Sequence, residues 1–383
     1  MKVTFVHCGP PNECKEYYRN LSLRGAEVTA AVNTTVVMGE VGIAGNHEIH
    51  LDVNGKEPYR LIGVDLVNPR NYNVGFRFKE LLKVIKESDP DIIHVFNEYH
   101  CFPVMQVVLV RNFFLKKKAP IVIYNFQNID YVNLTNNIKA FATGLIARFN
   151  LKNIQGITSA NQEGLDIVGQ YHETLQMKKI FWPVDISLFS RKNKQDCRRK
   201  INVSSDKKII GYSGRFVREK GLEDLLLALQ SMPDVVVLFV GSGEDQSRLQ
   251  DIVRQRNLTD RVMFRSFVPV EELVDYYNAL DCFVLPSRTT PLWKEQYGRV
   301  LVEAMACGIP VVGSSSGAIP EVLDGYSNKK IFKEGDVAVL KEILTEMFPK
   351  SSIDTDKHFL QRFSQERFAD EHFKFYKELL AAC

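Results

Sequence analysis

The sequence predicts an α/β chain built from two doubly wound parallel sheets. Three observations predict it. Short apolar runs that end in turns alternate with stretches of helical periodicity along nearly the whole chain, the pattern of strand–helix–strand units. The length, 383 residues, is enough for two cores rather than one. A charged stretch without apolar periodicity, residues 190–208, is consistent with a linker near the middle.

Composition narrows the class. Apolar residues make up 45% of the chain and charged residues 25%, as in ordinary globular proteins. A net charge of +3, from 49 basic and 46 acidic residues, is too balanced for nucleic acid as the main partner. Seven cysteines without CxxC spacing read as buried thiols in a reducing cytosol, not as a disulfide framework or a zinc site. Residues 3–8 follow Lys2 directly and run into a turn, so they read as a first strand and not a signal peptide. No apolar run approaches about 18 residues, so no helix is expected to span a membrane. A cytoplasmic protein is expected, with peripheral membrane contact left open.

Lys2–His7 is the opening strand, and Gly9-Pro10-Pro11-Asn12 the turn after it. Glu16–Arg24 is a helix, and Gly25–Thr29 leads into the second strand. Residues 33–75 hold strand-like pieces, Glu48–Val53 and Arg60–Leu66, and no legible chemistry. Phe76–Glu87 has apolar residues at helical spacing. Asp89-Pro90-Asp91 then turns into the strand Ile92–Phe96; acids flanking a proline at a strand start mark a turn, not a metal site. His94, inside that strand, reads as a core histidine. Asn97, Glu98, Tyr99 and His100 follow at the carboxyl end, where open α/β sheets place ligands.

Residues 102–118 and 137–153 are apolar helices with basic residues, three lysines ending the first and Lys139, Arg148 and Lys152 marking the second. A basic and aromatic face suits anionic lipid. A core helix whose lysines favour its C-terminal dipole explains the same residues. Ile121–Phe126 is the next strand, followed by Gln127, Asn128, Ile129 and Asp130. Asn and Gln orient hydroxyls but take no proton at neutral pH, which leaves Asp130 as the nearest candidate base. Gly156–Ala160 is a strand, and Asn161-Gln162-Glu163 caps the next helix.

The second sheet opens at Lys208. Ile209–Ser213 is a strand, Gly214–Gly221 a loop, and Leu222–Gln230 a helix. Glycine after a strand permits a tight turn, and the helix offers free N–H groups to an anion. Arg215 and Lys220 add two positive charges; arginine forks onto phosphate oxygens and lysine acts as a point charge. Val235–Val240 is a strand, Gly241-Ser242-Gly243 a turn and Asp245–Arg254 a helix. Arg261–Phe264, Glu271–Ala279 and Asp281–Pro286 read as strand, helix and buried strand. Val300–Ala306 is a helix stopped by Gly308 and Pro310, and Val311–Gly313 the next strand. Lys330–Phe332, Val337–Met347 and a last helix to Leu380 complete the chain. Glu295, in the loop before 300–306, and Glu303, inside that helix, are separated by seven residues and flank Gly298. Two carboxylates beside a helix N-terminus suit a polyhydroxyl ligand that carries phosphate. From spacing alone, two solvated surface glutamates explain the pattern equally.

The run 281–323, DCFVLPSRTTPLWKEQYGRVLVEAMACGIPVVGSSSGAIPEVL, resembles the E-x7-E signature of retaining glycosyltransferases of family GT4, which have the GT-B fold. The match extends through EAMACGIPVV and SGAIPEV. GR-x4-KG at 214–221 is similar to that family's diphosphate clamp, FRSFVPVEEL to the segment whose backbone pairs with the nucleotide base, and PVDISLF to its interdomain hinge. The resemblance covers nearly the whole chain and is most specific over 209–323. It implies two Rossmann-like domains facing a cleft: 1–188 on the acceptor side, with 364–383 crossing back to it, and 189–363 on the nucleotide-sugar side. It implies Glu295 at the sugar, Glu303 at the ribose, and Arg215 and Lys220 on the leaving diphosphate. Gly214, Gly241, Phe267, Val268, Arg288, Tyr297, Gly298 and Val300 are implied as further donor contacts. Asn97, Glu98, Gln127 and Asn128 are candidate acceptor contacts.

The sequence departs from the family twice. Many members carry a glycine pair in the first turn, where this chain has Pro10 and Pro11, which donate no N–H. Many carry a histidine in the acceptor loop, where this chain has none over 125–130. The implied reaction moves a sugar from a UDP- or GDP-linked donor to a glycan, lipid-linked or small-molecule acceptor. The nucleotide sugar is a substrate, and no cofactor or metal is implied. A sugar-nucleotide epimerase on the same fold, or a catalytically silent module that binds a glycan or a partner enzyme, remain as rivals.

Overall fold

A computed structural model describes residues 1–8, 14–37, 46–48, 56–68, 70–133, 137–203, 206–347 and 357–382. The turn expected over 9–12, and the part of the expected strand beyond Glu48, lie outside them. The chain divides into two compact units. One takes the described residues up to Trp182 together with Gln365 onward, and the other takes Pro183–Ser364.

The first unit is a parallel sheet covered by helices. Its elements run β1 (Lys2–His7), α1 (Lys15–Leu23), β2 (Glu27–Asn33), β3 (Thr35–Val37), β4 (Asn46–Glu48), β5 (Arg60–Val64), α2 (Phe78–Ser88), β6 (Ile92–Phe96), α3 (Phe102–Phe114), β7 (Ile121–Asn125), α4 (Ile138–Leu151), β8 (Gly156–Ser159), α5 (Gln162–Gly169) and β9 (Gln176–Lys179). Seven strands pair in the order β5-β2-β1-β6-β7-β8-β9, with β3 and β4 a separate antiparallel pair. Strands β6 and β7 are buried throughout, as helices on both faces require. The reversal of strand order falls between β1 and β6, where His7 lies beside Phe96. Strand β9 was not expected from sequence. It is an edge strand, QMKK, with polar residues and no apolar run to betray it.

The second unit runs α6 (Lys194–Lys200), β10 (Lys208–Ser213), α7 (Leu222–Leu229), β11 (Val235–Val240), α8 (Gln246–Gln255), β12 (Val262–Arg265), α9 (Val270–Ala279), β13 (Cys282–Leu285), α10 (Arg299–Ala306), β14 (Val311–Ser314), α11 (Ile319–Leu323), β15 (Lys329–Phe332), α12 (Val337–Met347) and α13 (Lys357–Leu360). Six parallel strands take the order β12-β11-β10-β13-β14-β15. That is the doubly wound order, with its switch point between β10 and β13. The expected α/β class and parallel sheets are thus observed. The stretch 190–208 is more than a linker. Asn193 caps α6 by accepting the Asp196 N–H at 3.1 Å. Arg198 then donates to the Ala279 carbonyl at 2.9 Å and to Asp281 at 2.6 Å. Its charges hide the helix from an apolar-periodicity reading because their partners lie about eighty residues away in sequence.

The last helix, α14 (Gln365–Ala382), completes the first unit. Its inner face meets a buried polar network. The Tyr17 and Tyr376 hydroxyls are 2.9 Å apart, and His94 Nδ1 also bonds Tyr376. His372 Nδ1 donates to the Phe368 carbonyl at 2.9 Å, which leaves Nε2 to accept the Thr158 hydroxyl at 3.1 Å. His94 is fully buried and is a core histidine, as expected. No helix among the described residues is long and apolar enough to cross a membrane.

The network makes the first unit sensitive to acid. Burial pushes His372 down to about 3 and holds His94 well below 6.5. The unfolded chain takes up these protons from about pH 6.5 downward, and the folded unit does not. Stability is therefore full above about pH 6.5 and falls below it, by up to about 1.4 kcal/mol per pH unit for each histidine. The thermal midpoint is expected to drop between about pH 7.5 and about pH 5. The drop should shrink in His372→Asn; an unchanged slope would remove His372 as its source.

Candidate active site

The loops that follow β10 and β13 leave neighbouring strands at the switch point of the second sheet, the place where such sheets hold ligands. One glycine lets them touch, and a second, in the loop after β14, lets that loop pack on Glu295. Gly221 has φ +61°, and a Cβ there would sit 2.1 Å from the Pro286 carbonyl oxygen. Gly317 has φ +50°, and a Cβ would sit 2.0 Å from the Glu295 carbonyl oxygen. Both conformations and both approaches are open to glycine alone. The Arg288 N–H also donates to the Glu219 carbonyl at 2.7 Å, tying one loop to the other.

The two loops bring Lys220 and Glu295 together. Lys220 Nζ donates to Glu295 Oε2 at 2.7 Å, with the side chains only 14% and 8% exposed. The Ser287 hydroxyl donates to the same oxygen at 2.7 Å. Lys220 Nζ also stands 4.9 Å from the centre of the Trp293 ring. Arg215 is exposed at the mouth of the first loop, and its carbonyl accepts the Tyr212 hydroxyl at 2.8 Å. Tyr212 feels both neighbours. Burial and the Glu295 charge push its phenol well above the usual range, and Arg215 opposes them.

Glu303 occupies a drier position. It is 3% exposed, on the buried side of α10. Tyr277 donates its hydroxyl to Oε2 at 2.7 Å, and Arg299 donates to Oε1 at 2.9 Å. Burial and the Glu303 charge hold the Tyr277 phenol protonated, well above its usual range, so it stays a donor. Gly298, at φ +79°, precedes the first turn of α10, and Val300 is half-buried in that turn.

Other expected donor residues are placed as follows. The Gly214 N–H bonds the Val240 carbonyl at 3.0 Å and the Gly241 N–H the Arg265 carbonyl at 2.9 Å, so both amides serve the loops themselves. Arg288 is forked onto buried Asp224, with Nε donating at 2.8 Å. Tyr297 is buried; Phe267 is exposed and Val268 half-buried, just beyond β12. Sequence reading missed Ser287, Trp293, Asp224 and Tyr277. Nothing in their local sequence marks them, because each acts on a residue brought to it by the fold.

In the first unit, Asn97 and Glu98 follow β6 and Gln127 and Asn128 follow β7. Glu98 accepts the N–H groups of Phe126 at 3.1 Å and Gln127 at 3.3 Å. Burial still dominates, pushing Glu98 up to about 7. Asn97 Oδ1 accepts the Glu98 N–H at 2.9 Å, and Asn128 is buried. Asp130 is committed to its own turn. It accepts the Val132 N–H at 3.0 Å, the Asn133 side-chain amide at 3.0 Å and the Tyr171 hydroxyl at 2.6 Å. These contacts commit Asp130 to holding its turn, and Glu98 is the carboxyl group that burial raises toward neutrality.

Two outcomes test this geometry. Tyr277→Phe should cost about 1–3 kcal/mol, since it strands an oxygen of a buried carboxylate; an unchanged urea midpoint would break the account of Glu303. Carbon-13 NMR of the carboxyl groups should show Glu98 titrating near 7. A midpoint near 4.5, its ordinary value, would contradict it.

Residues 193–362 match the family model described as Glycosyl transferases group 1. A D-inositol 3-phosphate glycosyltransferase of Corynebacterium jeikeium is 32% identical over 184 residues, 44% of this chain and 43% of that one. A GDP-mannose-dependent monoacylated alpha-(1-6)-phosphatidylinositol monomannoside mannosyltransferase of Corynebacterium glutamicum is 30% identical over 173 residues, 43% of this chain and 45% of that one. The matched part is thus less than half the length of each of these curated relatives. The solved sucrose-phosphate synthase of Thermosynechococcus elongatus superposes with a TM-score of 0.75 at 20% identity, covering 100% of both chains, and shares the fold. The resemblance to GT4 glycosyltransferases with the GT-B fold is borne out by the shared fold and by residues 193–362, less than half of the chain, which match the glycosyl transferases group 1 model.

Proposed function

We propose that the protein is a retaining glycosyltransferase that takes a sugar from a UDP- or GDP-linked donor and passes it to a glycan, lipid-linked or small-molecule acceptor. The Lys220–Glu295 ion pair at the sheet's switch point carries the reading. It sets a cation and an acid side by side at the carboxyl end of the sheet, where such sheets hold ligands. Lys220 and Arg215 offset the charge that grows on the diphosphate as the bond to the sugar breaks. Glu295 then receives the sugar hydroxyls, with Ser287 fixing its orientation. Glu303 takes the ribose hydroxyls. The diphosphate itself competes for Lys220, so donor binding loosens the ion pair and frees Glu295 for the sugar. No cofactor or metal is assigned a part; the nucleotide sugar is the substrate.

The Corynebacterium glutamicum relative is GDP-mannose-dependent, so GDP-mannose is the first donor to test. Labelled UDP- and GDP-sugars, incubated with the protein alone, separate the readings. Slow hydrolysis supports a transferase, an isomerised sugar an epimerase, and no turnover a silent binding module. A thermal-shift panel of free nucleotides names the base, because the bound one raises stability by mass action. Lys220→Ala should lower turnover at least about 100-fold, the scale of such electrostatic terms. A near wild-type rate in that variant would remove the clamp from the mechanism.

A further inference from the structure

The Lys220 ammonium has two neighbours of different kinds. One is Glu295, whose Oε2 lies 2.7 Å away. The other is the indole of Trp293, whose ring centre lies 4.9 Å away. A cation is drawn to the negative face of such a ring. Trp293 stands two residues before Glu295, in the loop between β13 and α10. Its backbone is fixed from within that loop. Thr290 and Trp293 exchange backbone hydrogen bonds at 2.7 and 3.4 Å, closing a tight turn over Pro291 and Leu292. Thr289, just before the turn, sets its hydroxyl 3.0 Å from that of Ser316. The loop therefore holds the indole's place without help from Lys220.

The ring itself is half-buried. Among the described residues no other aromatic ring packs on it, and its N–H has no partner. An apolar plate and a spare donor thus stand beside a carboxylate. A sugar ring needs these three things: a surface for its C–H face, a donor, and an acceptor for its hydroxyls. A nucleobase also stacks on an indole, but the neighbouring cation argues against one. Lys220 suits a diphosphate, and the base lies a whole ribose away from that diphosphate. The transferred sugar is bonded to it directly.

We propose that Trp293 is the platform for the donor's pyranose. Its face carries the C–H side of the sugar while Glu295 takes hydroxyls, and Lys220 covers the indole until a diphosphate draws the ammonium away. The proposal rests on the nucleotide-sugar reading and adds to it the residue that tells a sugar nucleotide from the bare nucleotide. It also sets a preference. Equatorial hydroxyls leave a C–H face for the ring, whereas an axial hydroxyl pointing at the indole loses its water without gaining a partner.

Calorimetric titration of the full chain with UDP, GDP, UDP-glucose, UDP-N-acetylglucosamine and GDP-mannose tests it. The quantity read is the affinity for the tightest sugar nucleotide divided by that for its free nucleotide. Trp293→Leu should lower this ratio about 3-fold or more, the scale of one aromatic contact, and leave free-nucleotide affinity nearly unchanged. Trp293→Phe, which keeps a ring, should recover most of the loss. Emission gives a second readout, because the chain has only two tryptophans and Trp182 is buried in the first unit. Tryptophan emission should respond differently to the sugar nucleotide and to the free nucleotide, and Trp293→Phe should abolish that difference. An unchanged ratio in Trp293→Leu overturns the platform, as does emission that does not separate the two ligands. An equal loss for both ligands does so too, since Trp293 then acts only through Lys220. Each of these leaves the nucleotide-sugar reading standing. Binding of none of the five compounds removes that reading, and the platform with it.

Discussion

A lysine and a glutamate held in contact away from most of the solvent set the terms for the rest of the second unit. Removing two charges from water is expensive unless each finds a partner at good geometry. Lys220 and Glu295 meet at 2.7 Å, and Ser287 satisfies the shared oxygen further. The pair exists because two loops from adjacent strands touch where Gly221 leaves room, while Gly317, in the loop after β14, lets a third loop pack against Glu295. A polar centre of this kind does not repay its cost through stability, since apolar residues of similar size often stabilise as well. Its value is positional: two opposite charges are kept together at the switch point of the sheet.

The first unit handles polarity by the opposite route. Its buried histidines are kept neutral, and their hydrogen bonds go to tyrosine, threonine and backbone groups. Aromatic rings fill the space between: Tyr17, Phe96, Tyr124, Trp182 and Phe368 meet edge to face or tilted around His372. Only at the carboxyl ends of β6 and β7 does a carboxylate, Glu98, sit half-buried with backbone amides as its sole described partners. The two units thus differ in the chemistry they offer. One presents paired charge, and the other presents amides, hydroxyls and one acid that titrates near neutrality.

Much of this was legible in the sequence. Apolar runs marked most strands, and the glutamates and basic residues of 214–221 and 295–303 were visible with their spacing. Local sequence could not tell which of those charges would be spent internally. Arg288 looked like a donor contact but is forked onto Asp224, 64 residues earlier. Asp130 looked like a base but holds its own turn together. Helix α6 was hidden because its side chains pair with α9 and Asp281 instead of forming an apolar stripe. Strand β9 was hidden because an edge strand needs little apolar content. Each failure has one cause: a side chain's job is set by a partner that the fold supplies from far along the chain.

The final helix gives the chain an unusual order of assembly. Tyr376 closes on Tyr17 across 359 positions. A ribosome making the protein therefore releases everything the second unit needs before the first has its closing piece. The amino-terminal sheet must wait, with an aromatic trough around His94 and Thr158 open to water, while its downstream neighbour is already whole. Nascent chains stalled short of Gln365 would leave that trough uncovered.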